Sequence, residues 1–511
     1  MNKNVGIMIF LSLTLLPFQA GAQRHLNDNA ALELNKADNL WISSDNAAGL
    51  LFQPVVAYNV VSFDYSYDSG SFHRKQSGSS LRNVNFDTQG ALKVGKFQLW
   101  GRFAYNNIAD NGTQFNTLLY DPFDERTIYN VADTVSSNWR KQSYEMEVKA
   151  AFPLLADKLA AGLHVIYSDK LSAKQKDPRS ESSRYYITLK PSLTLKTGKH
   201  VFGVNGYYSN NFERVIPTLS NSSETQPVYV LRGLGNYVDE TVGSSGLSIM
   251  YYKCNTFGGA FQYNLDGPVR ILAEVGFLSH STNVRQSSTQ PLKMGSTSKS
   301  DLTCSVRTLF GNGNGNLNKV TVSFSDIKTD GTEYTSVWDK VTGEWEVRSQ
   351  AVMSTYSTLT AAVMYDRYIL EDNSFKWNYH AGLSWIDKSD EYKLPHSSFS
   401  YDNILVDASG FRRFVVGKSS LLTGVCASYN LNLSGDYSYA GSHPSSPLVR
   451  DWYPHDINIL TSDYYKAGLK ADYCFPLKGK INLSVSGDAS YLYVDASLDR
   501  FYIRGAVALI F

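Results

Sequence analysis

Fourteen ionisable side chains carry whatever chemistry this sequence can offer. Arg102, Lys149, Lys190, Arg270, Lys376, Lys466, Lys470 and Arg504 are basic, and Glu145, Glu147, Glu274, Asp366, Asp472 and Asp488 are acidic. Each interrupts a run in which every second residue is apolar, and each falls on the polar parity of that run. Mixed signs at such positions suit the lining of a water-filled passage without strong ion selectivity. They equally suit cross-strand pairs that fill the passage.

Other chemistries find less support. There is no His-Glu-x-x-His and no Gly-x-Ser-x-Gly elbow between a strand and a helix. His164 and His380 share the polar parity, and a hydroxyl from a neighbouring strand can complete a hydrolase without a local motif. A hydrogen-bonding filler is the plainer role for both. His443, Asp451, His455 and Asp456 follow no established metal-ligand spacing, so neither a metal nor another cofactor is expected. The run Gly311-Asn312-Gly313-Asn314-Gly315-Asn316 lacks the Lys-Ser/Thr ending of a phosphate loop and is expected to be a turn. Tyr229, Tyr237, Tyr437, Tyr439, Trp452 and Tyr453 suit either stacking on ring-shaped ligands or an aromatic girdle at a membrane surface, and the girdle is the expectation.

The elements that must hold these groups are strands. Phe97, Leu99, Gly101, Phe103 and Tyr105 face one way, while Gln98, Trp100, Arg102 and Ala104 face the other. The same period of two recurs in Tyr144 to Phe152, Leu159 to Tyr167, Tyr185 to Leu195, Ile271 to Phe277, Phe375 to Trp385 and Ile481 to Tyr493. It ends in Phe501, Ile503, Gly505, Val507, Leu509 and Phe511. Such alternation means a different solvent on each face. Short turns near Gly95, Asp157, Gly198, Asp266, Gly313, Asp372, Gly417 and Gly479 alternate with longer polar loops at 68–80, 107–138, 170–182, 212–245, 283–297, 330–350, 388–396, 436–460 and 494–499. Sorted connections of this kind predict an all-β antiparallel transmembrane barrel with short periplasmic turns and long extracellular loops, best counted as 18 strands within a range of 14 to 18. A basic side chain turned to lipid near the midplane costs about 2 to 4 kcal/mol, which assigns the charged parity to the lumen.

The remaining features set the compartment. Lys3, an apolar run from Val5 to Phe18 and the small residues Ala20-Gly21-Ala22 read as a signal peptide over 1–22. Residues 23–50 follow as an amino-terminal periplasmic or plug segment, with Ala30, Leu34, Ala37 and Trp41 spaced for one helical face, and 51–511 form the barrel. A separate globular plug domain finds no room before the first strand, which disfavours an energy-coupled receptor. A net charge of +1 without basic runs gives no reason to expect nucleic acid. Cys254, Cys304, Cys426 and Cys474 are too sparse for a disulfide scaffold, although Cys426 and Cys474 share the polar parity and leave a cross-strand disulfide open.

The ending, with alternating apolar residues, Gly505 and terminal Phe511, resembles the carboxy-terminal signal by which Gram-negative barrels are handed to the outer-membrane insertion machinery. Together with Trp41 to Leu50 and the long Tyr-rich strands, the mature chain resembles an outer-membrane barrel family of Bacteroidota classed as a domain of unknown function. That resemblance implies location in the outer-membrane bilayer and a barrel architecture, and brings no catalytic residues. Asn46-Ala47-Ala48 is similar to the Asn-Pro-Ala of the hatch in the long-chain fatty-acid channel family, with Ala47 in place of Pro.

The expected function is a channel or uptake component for a small solute, lined by Arg102, Glu145, Glu147, Lys190, Arg270, Glu274, Lys376, Lys470, Asp488 and Arg504. The alternatives are a non-transporting scaffold or assembly partner within an outer-membrane complex, and a barrel hydrolase.

Overall fold

The computed structural model describes residues 26–511 except 125–127, 156–157, 222, 244–245, 288, 312–314 and 496. The expected signal peptide, and the centres of the turns near Asp157 and Gly313, therefore lie outside the described residues. Among the described residues, 18 antiparallel strands form one closed sheet. The first strand, Tyr58–Gly70, pairs with the second, Ser80–Val94, on one side and with the last, Leu498–Ile510, on the other. Closure leaves no ladder edge open to lipid, which an open sheet in hydrocarbon would. Val60 stands opposite Ile510, and Asn59 exchanges both backbone hydrogen bonds with Phe511 at 2.7 and 3.0 Å. Removing Phe511 deletes the final pair of this seam, and the chain without it is expected to accumulate in the periplasm. Outer-membrane fractionation checks this.

Period-two alternation becomes a two-sided wall. In the last strand Phe501, Ile503, Val507 and Leu509 are exposed, while Ala506 and Ile510 are buried. Phe257, Phe261, Val275, Phe277, Val322, Val363, Leu383, Val425 and Leu469 continue the exposed belt around the barrel. An apolar outer band on an even-stranded closed barrel is the surface that acyl chains cover. The protein is a Gram-negative outer-membrane barrel. Val275→Lys, placed within that belt, is expected to cost about 2 to 4 kcal/mol in a lipid-refolding titration if it lies near the midplane.

Strands flank all eight short turns where the sequence pattern predicts them. The outer connections depart from it. The strands Asn316–Asp339 and Glu344–Glu371 run for 24 and 28 residues, far beyond the roughly 9 to 11 that cross a bilayer. The expected loop at 330–350 is thus a strand hairpin, and that at 170–182 shrinks to residues 175–178. Polar strand extensions outside the membrane have no apolar face, so they resemble loops in sequence.

The longest connections turn inward. Val131–Ala132, Thr225–Gly233 and Asn236–Gly243 form a separate three-stranded sheet. Its Val131, Val228, Val230 and Val242 pack against Leu118, Leu119 and the wall residues Met250, Tyr252 and Val284. A further loop contributes a helix, Tyr453–Leu460, preceded by a wide turn from Leu448. Loop side chains thus build an apolar core within the outer mouth.

Candidate functional site

The other end of the lumen is occupied by residues 26–52. Their helix, α1, spans Asn29–Asp38 and starts where the Asp28 carboxylate accepts a hydrogen bond from the Ala31 N–H at 2.8 Å, satisfying one of the free amides of the first turn. Ala30, Ala31, Leu32 and Ala37 are buried. After the helix Trp41 folds back over Gly49, where a Cβ would lie 1.9 Å from the indole, so only glycine fits. The wall opposite makes the same demand, since a Cβ on Gly162 would meet the Ala48 nitrogen at 2.4 Å.

The segment is held in two ways: Leu32, Leu40, Trp41 and Leu50 pack against Tyr58, Ala151, Val201, Leu272 and Leu309 of the wall, and the charged parity of the wall binds its polar groups. Lys190 meets Asp45 at 2.7 Å, and Lys149 donates to the carbonyls of Ile42 and Ser44 at 2.8 and 2.9 Å. Glu274 accepts from the Ser44 hydroxyl at 2.6 Å and pairs with Arg307, which also reaches Ser43 at 2.7 Å. Arg270 pairs with Asp38, Arg413 with Asp28 at 2.7 Å, and Asp472 accepts from Asn29 at 2.6 Å. Asn46 is fully buried: its amide donates to Gln262 at 2.8 Å, and its oxygen accepts from Thr194 at 3.0 Å. Burial pushes the Asp45 carboxyl up, but Lys190, with His164 and Lys149 behind it, outweighs burial and holds it below its usual range. Burial pushes the Glu33 carboxyl up against the pull of Lys470.

A polar chamber of about 460 Å³ lies beside α1, lined by Lys36, Asp64, Asp87, Trp100, Arg102 and Arg504 among others. Its charges are paired across strands. Arg102 meets Asp87 at 2.6 Å and Glu145 at 3.7 Å, while Arg504 meets Asp64 at 3.1 Å and Asp488 at 3.4 Å. Glu147 also lines the chamber and bonds to His164 at 2.8 Å. Lys470 stands opposite Asp488 in the ladder with its ammonium over the Phe411 ring. Lys376 sits apart, beside the Glu371–Ser374 turn, 3.6 Å from Glu371.

Nine of the ten predicted lining residues therefore meet either the amino-terminal segment or the charge network of the chamber. Asp28, Asp38, Asp64, Asp87, Arg307 and Arg413 were not singled out in the sequence. The wall residues among them share the parity of their charged neighbours, and that was the available signal. Asp28 and Asp38 sit on a segment where period-two reasoning has no purchase.

The histidines do not assemble a nucleophile. His164 bonds to Glu147, and His380 lies between Asp366 and Asp407 at 2.7 and 2.8 Å, all carboxylates. A hydroxyl–imidazole–carboxylate chain does occur elsewhere, with Thr256 at 2.8 Å and Asp301 at 3.0 Å from His280. Thr256 is 2% exposed, which leaves its hydroxyl no surface for a substrate.

One open alternative is closed and one expectation is corrected. No disulfide joins Cys426 to Cys474. Cys474 faces Ser420 and Cys426 faces Gly468, six residues apart along the ladder and far beyond disulfide reach. Nor do the loop aromatics form a girdle. Trp452 stacks on Phe115 at 5.2 Å, Tyr453 on Tyr437 at 5.6 Å, and Tyr229 meets Tyr237 edge-on at 4.8 Å. The loops carry these rings inward, where they bury one another; Tyr465, Tyr491 and Tyr493 are exposed instead.

Among solved structures, the chain is similar to the unliganded ferric citrate transporter FecA, at 9% identity and a TM-score of 0.38, over 88% of this chain and 78% of that one. It is similar to the ferric yersiniabactin uptake receptor FyuA from Yersinia pestis, at 9% and 0.39, over 88% and 80%. It is also similar to the outer membrane transporter YddB from Escherichia coli, at 8% and 0.41, over 88% and 80%. These likenesses concern the barrel fold alone. No curated protein sequence matches. The sequence matches the family of unknown function DUF6850 over residues 47–511, and the chain belongs to that family.

Proposed function

We propose that this outer-membrane barrel is a channel or uptake component for a small solute, with residues 26–52 as its plug. The observation that carries this reading is the manner in which the segment is held. Ion pairs and hydrogen bonds tie one side of it to wall side chains that also pair among themselves, Leu32, Leu40, Trp41 and Leu50 pack the other side against the wall, and it borders a polar chamber. The polar contacts can be exchanged for water at modest cost, while the apolar cluster is what release of the segment would have to break. The polar, charge-balanced wall suits passage of a solute without selection for one sign. Insertion by the barrel assembly machinery through the Phe511 end belongs to the same reading.

A second reading has its own support. The inserted loop sheet fills the outer mouth as the plug fills the inner one, which suits a non-transporting scaffold in an outer-membrane complex. Planar-bilayer recording separates the two. The channel reading expects openings, rare in the full-length protein and frequent after deletion of residues 24–49; silence in both forms refutes it.

A further inference from the structure

A cavity of about 200 Å³ opens at the outer mouth between the loops and the strand ends. It owes nothing to the plug. Its walls are aromatic: Phe123, Tyr356, Phe399, Tyr401, Trp452 and Tyr453. Two ion pairs set its polar corners. The Arg74 guanidinium stands over the Phe123 ring, 4.2 Å from its centroid, and meets Asp456 at 3.1 Å, and Asp456 also accepts from the Trp452 indole N–H at 3.0 Å and the Lys75 backbone N–H at 2.7 Å. At the second corner Lys388 meets Asp390 at 3.2 Å. The Asp456 and Asp390 side chains are only 6% and 8% exposed, so both are fixed in place.

This combination restricts the ligand. Asp456 is already held by three donors, so the first corner presents chiefly the Arg74 donor with its charge offset, while at the second Lys388 and Asp390 stand side by side; neither corner carries an uncompensated charge that would favour an ionic ligand. A hydroxyl donates and accepts at once and matches both corners. The aromatic walls offer apolar faces on which a flat C–H surface can lie. A volume of about 200 Å³ lies below the roughly 300 to 1,000 Å³ of pockets for drug-sized ligands, which suits a single small ring. We infer that the outer mouth holds a capture site for a single uncharged sugar ring, stacked between Phe123 and Tyr401 and hydrogen-bonded to the Arg74–Asp456 and Lys388–Asp390 pairs.

The inference rests on the channel reading only for the onward passage of a captured ring; binding itself is independent of passage. The test uses the full-length barrel in a polyoxyethylene detergent, which has no sugar headgroup. Calorimetric titrations are run with glucose, galactose and N-acetylglucosamine, and with glutamate, lysine and indole as contrasts. Saturable binding of at least one sugar, and of none of the contrasts, is expected. Phe123→Ala and Tyr401→Ala are each expected to weaken it about tenfold. Phe123 lies in a loop outside the barrel wall, so heat-modifiable electrophoretic mobility should show that variant folded. The inference is overturned if a folded wild-type protein binds no sugar, if a charged or purely aromatic probe binds in its place, or if both variants bind as the wild type does. Bilayer conductance of the full-length protein is recorded beside the titrations, so a failed capture site, with openings present and no sugar bound, remains distinguishable from a failed channel.

Discussion

Deleting residues 24–49 is expected to raise conductance in a planar bilayer by roughly an order of magnitude and to make the pore prefer anions. The size follows from the strand number, since barrels of 16 to 18 strands enclose an aqueous channel, which the loop sheet at the outer mouth narrows after the plug is gone. The selectivity follows from the charges removed. Among its described residues the segment carries Asp28, Glu33, Asp38 and Asp45 against Lys36 alone. Its loss leaves Lys149, Lys190, Arg270 and Arg413 facing water without the partners that now offset them. A reversal potential in a potassium chloride gradient reads the sign. A cation-preferring pore, or a conductance no greater than that of the intact protein, would contradict this distribution of charge in the lumen.

The second large effect concerns the outer mouth. Asp133 and Lys174 form an ion pair at 2.6 Å with side chains only 2% and 1% exposed. Asp133 also accepts from the Thr117 hydroxyl at 2.6 Å and the Val135 N–H at 2.8 Å, while Lys174 reaches the Pro178 carbonyl at 3.2 Å. The pair ties the loop carrying Val131–Ala132 to the end of a barrel strand. Asp133→Ala strands a buried ammonium, a loss of about 3 to 5 kcal/mol when one partner of such a pair is removed. The cost falls on docking of the loop, because the wall strands keep their ladders. Rapid proteolysis within residues 114–136, with the heat-modifiable barrel band retained, is the expected outcome. Protection equal to that of the wild type would show that the apolar packing of Leu118, Leu119 and Val131 holds the loop unaided.

The barrel was legible because each membrane-crossing strand must solve the same problem, with one face in lipid and the other in water. Phe501, Ile503 and Val507 against Arg504 state that problem in consecutive residues, and Gly95, Gly198 and Gly417, all at positive φ, mark where the chain reverses. Nothing comparable marks the contact of Asp45 with Lys190, which lie 145 residues apart in the chain. The inward loops were hidden for a different reason. Tyr229, Tyr237, Trp452 and Tyr453 have the composition of an interfacial belt, and composition does not tell which side of the wall a loop will take. The strands beyond the membrane were missed because water on both faces removes the alternation that identifies a strand.

The seam between Asn59 and Phe511 has a kinetic consequence. It joins residues separated by nearly the whole chain, so its formation carries a loop-closure entropy of roughly 5 kcal/mol for a chain of this length. No earlier hairpin offsets that cost on behalf of the edges. Until Leu498–Ile510 docks, the first strand and the last available one both present unpaired amides that hydrocarbon does not tolerate. Stable insertion is therefore all-or-none, with the final strand to arrive setting the rate. A chain cleaved before that strand gains no foothold in the bilayer from the strands it already has.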